Sequence, residues 1–308
     1  MEANSKTIWA QWSDLSVPDG VELISTDPAE LPQDVLDRIG FYVAPYLSGH
    51  GGLKPVGTMP NLAVLQVPNA GYDDAIEYLR PGITLCNARG VHDESTAELA
   101  VALALAGRRG FDRFAAAQNT GTWSSSPARS LTDSSIAVVG HGSIGKVIVR
   151  MLQGFSVTVT SFSRRGTEGA RPVTELIGTT DRAGRIGEFD IVIVVVPLTA
   201  ETHHLVNDAF LAHMRDGALL VNVARGAVVD TDALVAELQS GRLHAALDVT
   251  DPEPLPVGHP LWTAPNCIIT PHVGGNTSAF EPRMRALLTS QVVAWTEGAE
   301  LANVVARG

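Results

Sequence analysis

A chain of 308 residues, 45% hydrophobic and 18% charged, has the length and apolar content of a globular protein of about two domains. Its formal net charge of −11 disfavours broad contact with nucleic acid or anionic membranes, although a pocket can be locally basic within an acidic protein. Two cysteines, Cys86 and Cys267, are too few for a disulfide framework or a Cys-rich zinc site, and both fall in apolar strand-like runs as buried thiols.

Residues 1–6 lack the basic-then-apolar pattern of a leader peptide, and the apolar run 191–196 is too short to span a bilayer. A cytoplasmic, reducing setting is the expectation. The first 92 residues alternate strand and helix patterns: strands at 7–10, 41–45, 62–67 and 83–87, a helix at 28–39 and a short helix at 73–79. Alternation of this kind indicates a parallel α/β layer. Residues 93–109 are rich in Ala, Leu and Glu, with no glycine until Gly107, and read as a long buried helix that 111–117 extends. A polar Gly/Ser loop follows at 119–127.

From Ser134 the alternation is cleaner. Strands are expected at 136–139, 157–162, 190–196, 218–223, 244–249 and 266–270. Helices are expected to about 153, at 208–214 and 231–240, and from about 278 to 297. The first of these strands runs into Gly140-His-Gly-Ser-Ile-Gly145 and then a helix start. Such a turn brings backbone close to a pyrophosphate at the helix N-terminus, though glycines at this spacing also serve ordinary turns. Because the turn begins mid-chain, its domain is expected to be inserted into the first, with the last helix returning to the N-terminal unit. Boundaries fall at 1–94 with 276–308 and at 95–275. The fold class is α/β, two Rossmann-like domains with doubly wound parallel sheets, and a cleft between lobes is the expected ligand site.

Three polar groups stand just past apolar strands of the second unit: Arg225 after 218–223, Glu253 after 244–249 and His272 after 266–270. Ligands of open parallel sheets bind outside the carboxyl ends of strands. A guanidinium pairs with a carboxylate, an imidazole passes a proton to or from an oxygen, and a carboxylate beside the imidazole favours its cation. Each residue alone is more often structural, and Asp248 reads equally as a cap or turn residue. The combination carries the argument.

With these residues in view the chain resembles the D-2-hydroxyacid dehydrogenases, the group that includes phosphoglycerate, glyoxylate/hydroxypyruvate and D-lactate dehydrogenases. The matching segments are Ala70-Gly-Tyr-Asp73, Ser95-Thr-Ala-Glu98, Val139-Gly-His-Gly-Ser-Ile-Gly145, Val196-Pro-Leu-Thr199 with Thr202, Asn222-Val-Ala-Arg-Gly226, Ala246-Leu-Asp-Val249, Glu253-Pro254 and Thr270-Pro-His-Val-Gly-Gly275. They span about residues 60 to 285, in the family's order and spacing. The resemblance implies an oxidoreductase that interconverts a small 2-oxo acid and a D-2-hydroxy acid by hydride transfer. Arg225 would bind the substrate carboxylate and polarise the keto oxygen, His272 would exchange the proton, and Glu253 would hold His272 protonated. Asp248 would contact the nicotinamide carboxamide. Gly140, Gly142, Ser143, Ile144, Gly145, Val196, Pro197, Thr202, Val223, Ala224 and Gly274 would complete the cofactor site. Backbone at Ala70 and Gly71 would hold the substrate carboxylate from the other lobe. The family also implies a homodimer and no metal.

Two departures refine the expectation. The strand 157–162 ends in Ser163-Arg164-Arg165, with no carboxylate for a ribose 2′-hydroxyl; these residues suit a 2′-phosphate, so NADP(H) is expected over NAD(H). The stretch Ala44-Pro-Tyr46-Leu-Ser48 lacks the Arg of phosphoglycerate-type members, and Lys54 falls in a Gly/Pro loop. With no regulatory domain before Gly308, this disfavours a phosphorylated substrate and leaves glyoxylate, hydroxypyruvate or a bulkier 2-oxo acid near Tyr46. Three other readings stand beside the first: a nucleotide-sensing corepressor-like protein, a phosphoglycerate dehydrogenase-type enzyme, and formate or phosphite oxidation on the same fold.

Overall fold

In a computed structural model, which describes residues 6–179 and 182–308, the chain divides into two compact units, Met1–His92 with Ser278–Gly308, and Asp93–Thr277. Residues 1–5, most of the stretch on which the leader reading rests, lie outside the described residues. The first unit opens with β1 (Lys6–Trp9), β2 (Val21–Ile24), α1 (Gln33–Leu36), β3 (Ile39–Val43), β4 (Val64–Gln66) and β5 (Thr84–Cys86). The second begins with α2 (Asp93–Arg109), α3 (Phe111–Asn119), β6 (Ser135–Val139), α4 (Ser143–Leu152), β7 (Thr158–Ser163), β8 (Arg171–Pro172) and α5 (Val173–Ile177). It continues through the short pair β9 (Gly178–Thr179) and β10 (Arg182–Ala183), then β11 (Ile191–Val194), α6 (Asp208–His213), β12 (Leu219–Asn222), α7 (Thr231–Gln239), β13 (His244–Leu247) and β14 (Cys267–Ile269). Finally α8 (Phe280–Glu297) and β15 (Val304–Arg307) belong to the first unit.

The second unit is built on a parallel seven-stranded sheet in the order β14-β13-β12-β11-β6-β7-β8. Its strand order reverses between β6 and β11, which opens a crevice at their carboxyl ends. Burial on both faces follows from the composition. In β11 every residue is buried, and alternate residues serve opposite cores: Val192 and Val194 pack with Ala137, Val139 and Leu220, whereas Ile191 and Ile193 pack with Ile136, Val138 and Val221 under α2. The length of α2 follows from its Ala- and Leu-rich run, whose Ala97, Ala100, Leu103 and Ala104 are buried.

The first unit has a six-stranded sheet, β15-β5-β4-β3-β1-β2, parallel except for β15, which pairs antiparallel with β5. One face packs on Phe280, Met284, Leu288 and Val292 of α8; the other buries Trp9, Ile39, Tyr42, Leu65 and Leu85.

The expected helix at 28–39 is absent. Asp27 caps a single 3-10 turn, Pro28–Glu30, then Leu31 is extended, α1 is one turn, and Ile39 already lies in β3. The cause is Pro32, which lacks an N–H and drives the residue before it out of the helical region. The stretch around Lys54, read as a loop, winds as a 3-10 helix, Gly49–Thr58, with Leu53 and Val56 buried. The edge strands β2, β8 and β15 were not expected. Among the described residues no helix is long and apolar enough to cross a membrane.

Candidate active site

The glycine turn follows from steric limits. Gly140 has φ +120°, and a Cβ there would stand 2.5 Å from the Val195 carbonyl oxygen. A Cβ at Gly145 would stand 2.0 Å from the Gly140 carbonyl oxygen, so only glycine lets the turn close on itself. Gly142 faces open space and is the N-cap of the ten-residue α4, with no side chain of its own to cap the first turn. The amide groups of Ser143, Ile144 and Gly145 therefore begin a helix whose dipole favours an anion at this point. The Gly140 amide donates to the Phe162 carbonyl (2.8 Å), so the turn is tied to the end of β7. Substituting Gly145 with Ala is expected to destabilise the second unit by about 1–3 kcal/mol through overpacking and to abolish saturable cofactor binding. Thermal melting and titration of cofactor fluorescence check it.

Beside that turn, β7 ends at Ser163, whose Oγ is buried and has no hydrogen-bond partner among the described residues. Arg164 and Arg165 follow on the surface; Arg164 lies 3.9 Å from Glu201, with both side chains exposed. The loop after β11 carries Val196 and Pro197. Thr202 fixes it: its hydroxyl donates to the Pro197 carbonyl (2.6 Å) and accepts from the Thr199 amide (2.8 Å). The residues present thus fit a dinucleotide: a turn that closes only with glycine at 140 and 145, open space at Gly142 before the start of α4, and a buried hydroxyl, Ser163, beside two cations.

Adjacent parallel strands β12, β13 and β14 deliver the other polar groups to the same end of the sheet. Past β12, Asn222 folds the chain back: its Nδ2 donates to the Arg225 carbonyl (3.0 Å), and its Oδ1 accepts from the Ala224 amide (3.0 Å). Val223 and Ala224 are buried, while the Arg225 guanidinium donates to the Ala224 carbonyl (2.8 Å) and stays half-exposed. Gly226 is close-packed, since a Cβ would lie 1.9 Å from the Thr250 carbonyl oxygen.

Past β13 and β14, His272 Nδ1 donates to Glu253 Oε1 at 2.6 Å. Burial pushes the Glu253 carboxyl up, but the hydrogen bond and charge of His272, with help from the Thr250 backbone and Arg225, outweigh it and hold the carboxyl below its ordinary value. His272 has φ +53°. It is fixed there by Asp248, only 3% exposed. Asp248 Oδ1 accepts from Thr270 Oγ1 (2.6 Å) and the Val273 amide (2.9 Å), Oδ2 accepts from the Gly274 amide (2.9 Å), and its carbonyl accepts from the His272 amide (2.7 Å). The carboxylate is thus engaged by the loop that carries the histidine.

In the first unit, Asn87 Nδ2 donates to the Ala70 carbonyl (2.7 Å), the Ala88 amide to the Asn69 carbonyl (2.9 Å), and the His92 ring to the Pro68 carbonyl (2.7 Å). The backbone at Ala70 and Gly71 is held by these bonds. Tyr46 stacks on Phe280, with centroids 3.8 Å apart. Sequence reasoning gave no role to Asn222, Asn87 or His92, because a side chain that folds a neighbouring loop carries no spacing signal. Burial pushes the thiol of Cys86 up to about 11 and that of Cys267 up to about 12, which disfavours the thiolate at both.

Residues 101–274 match the family model described as D-isomer specific 2-hydroxyacid dehydrogenase, NAD binding domain. The human glyoxylate reductase/hydroxypyruvate reductase is 35% identical over 249 residues, 77% of this chain and 75% of that protein. A crystal structure of a D-isomer specific 2-hydroxyacid dehydrogenase family protein from Aeromonas salmonicida superposes with TM-score 0.84 at 25% identity, covering 98% of this chain and 99% of the other. An NADPH-dependent glyoxylate/hydroxypyruvate reductase from Sinorhizobium meliloti, in complex with NADP and malonate, superposes with TM-score 0.76 at 25% identity, covering 99% and 97%.

Proposed function

The chain belongs to the D-isomer specific 2-hydroxyacid dehydrogenase family, and from that premise we propose that it reduces a small 2-oxo acid to the D-2-hydroxy acid with NADPH preferred over NADH. The observation that carries this is the His272–Glu253 pair, 2.6 Å apart at the strand ends, with Arg225 near enough to act on the Glu253 carboxyl. Arg225 pairs with the substrate carboxylate and draws electron density toward the keto oxygen. His272 gives its proton to that oxygen as the carbonyl carbon is reduced, and takes it back in the reverse direction. Glu253, ionised at neutral pH, favours the imidazolium that holds this proton. The nicotinamide supplies the hydride, held by the turn at Gly140, Gly142 and Gly145 and the first amides of α4.

NADPH preference rests on Ser163, Arg164 and Arg165, and on the absence of a carboxylate at the end of β7. The exposed Arg164–Glu201 contact is weak enough for a phosphate to displace. A homodimer in the cytoplasm belongs to the same reading. The dimer is supported by α3, none of whose residues is buried, and by Trp123, which is 96% exposed.

A panel of 2-oxo acids, glyoxylate and hydroxypyruvate first, with NADPH and with NADH, tests the proposal by absorbance. At least one acid should be reduced, with higher kcat/KM for NADPH. Equal or better efficiency with NADH overturns the cofactor preference. A chain that binds NADPH yet reduces no acid in the panel overturns the reaction and favours a nucleotide sensor. Hydrogen bonds to charged groups contribute about 1.5–3 kcal/mol each, so Arg164→Ala with Arg165→Ala should cut the NADPH/NADH efficiency ratio by about tenfold or more.

A further inference from the structure

At the end of the seven-stranded sheet where strands begin, opposite to the carboxyl ends, the second unit holds a cavity of about 290 Å³. Four basic side chains line it: Arg108 from α2, Arg113 from α3, Arg129 from the loop before β6, and His244, the first residue of β13. Asp112 is the one acidic residue in the lining.

None of the three guanidiniums forms an ion pair among the described residues. Their partners are neutral oxygens. Arg108 donates to the Ser130 carbonyl (3.2 Å) and Ser134 Oγ (3.4 Å), Arg113 to the Pro127 carbonyl (3.5 Å), and Arg129 to the Gly217 carbonyl (2.7 Å). Arg108 Nη1 is buried and has no hydrogen-bond partner among the described residues. Two left-handed glycines make room for the others. A Cβ at Gly217 (φ +71°) would fall 2.1 Å from Arg129 Nη2, and one at Gly110 (φ +67°) would fall 2.5 Å from Arg113 Nη2. Here the chain keeps glycine where the guanidiniums lie against its backbone.

The cluster is electrostatically unbalanced as it stands. Burial lowers the His244 pKa, and Arg129, Arg108 and Arg113 lower it further against the opposing pull of Asp112. Burial likewise lowers that of Arg108, helped by Arg129 and Arg215, with Asp190 opposing. Three guanidiniums gathered around one lining carboxylate, Asp112, with no ion pair to it among the described residues, repel one another unless an anion joins them.

We propose that this cavity binds a small multiply charged oxyanion, a phosphate or a dicarboxylate, away from the strand ends that carry Arg225, Glu253 and His272. Forked N–H donors from two or three guanidiniums match the oxygens of either group.

The test is isothermal titration of the full chain with inorganic phosphate, and separately with succinate, in a buffer of low anion content. Three variants accompany the wild type: Arg113→Met with Arg129→Met, Arg129→Lys, and Arg225→Met. Binding should persist in Arg225→Met, weaken by about tenfold or more in the double variant, and recover in part in Arg129→Lys, because each charge-assisted bond is among the stronger hydrogen bonds available. The stronger of the two ligands identifies a phosphate or a dicarboxylate as the preferred group. Circular dichroism checks the fold of the double variant. If it misfolds, Arg113→Met alone carries the test, since Arg113 lies on the surface. The proposal is overturned by undiminished binding in the arginine variants, by loss of binding in Arg225→Met, or by no binding to wild type. It is overturned equally if wild type binds neither anion while the double variant sediments at a lower mass, for then a carboxylate of a second copy meets the cluster.

Discussion

Replacing His272 with Asn is expected to lower kcat for 2-oxo acid reduction by about 10²- to 10⁴-fold, the range of a lost general acid, while cofactor affinity stays within about twofold. Asn is the better probe than Ala. His272 has φ +53°, where Asn is tolerated and where a left-handed Ala costs roughly 1–2 kcal/mol, so the Ala variant mixes chemistry with strain. The ring is divided in use. Nδ1 donates to Glu253 at 2.6 Å, which leaves Nε2 for the substrate oxygen. Glu253→Gln should therefore lower kcat as well, because a neutral amide no longer stabilises the imidazolium. The sign of the pH dependence follows from the Glu253 carboxyl, held below its ordinary value. The pairing is fully present above the ordinary carboxylate pKa and is lost as pH falls through the lowered one, so wild-type activity should survive mild acid. If His272→Asn loses cofactor binding together with turnover, the histidine is structural and the proton-transfer role fails.

Legibility in the sequence tracked how local the responsible physics is. The turn from Gly140 to Gly145 could be read because an apolar strand, close glycines and an amphipathic helix adjoin within about twenty residues. The length of α2 could be read because no glycine interrupts its seventeen residues before Gly107, in the last turn. Past the strand ends, Arg225, Glu253 and His272 followed from one rule: consecutive parallel strands place their carboxyl ends together. What depends on distant partners could not be read. β15 is a strand because it pairs with β5, some 220 residues earlier, and its own Val304-Val-Ala-Arg307 says little of that. Pro32 broke a helix that apolar spacing alone would place at 28–39. Arg108, Arg113, Arg129 and His244 meet only because α2, α3, the following loop and the start of β13 converge, so no spacing in the chain announces their cavity.

Asp248→Asn is expected to lower both thermal stability and kcat while sparing cofactor affinity, which separates two roles for this residue. Family resemblance implies a contact with the nicotinamide carboxamide. The structure shows both carboxylate oxygens engaged by Thr270 Oγ1 and the amides of Val273 and Gly274, on either side of His272. An amide in its place keeps one acceptor oxygen and turns its NH2 toward at least one donor, so a bond becomes a donor–donor contact. Asp248 is buried, and a buried donor left without an acceptor costs about 1–3 kcal/mol, which sets the expected loss of stability. The loop then relaxes away from φ +53° at His272, and the imidazole loses its fixed direction toward the substrate oxygen. Proton transfer depends steeply on that geometry, so kcat should fall by about tenfold or more. A carboxamide contact makes the opposite forecast: weaker cofactor binding, with the melting temperature nearly unchanged. Melting, cofactor titration and steady-state kinetics on the one variant decide between them. Asp248→Ala should lose more stability than Asp248→Asn if the loop is what the carboxylate holds, because it abandons all three donors.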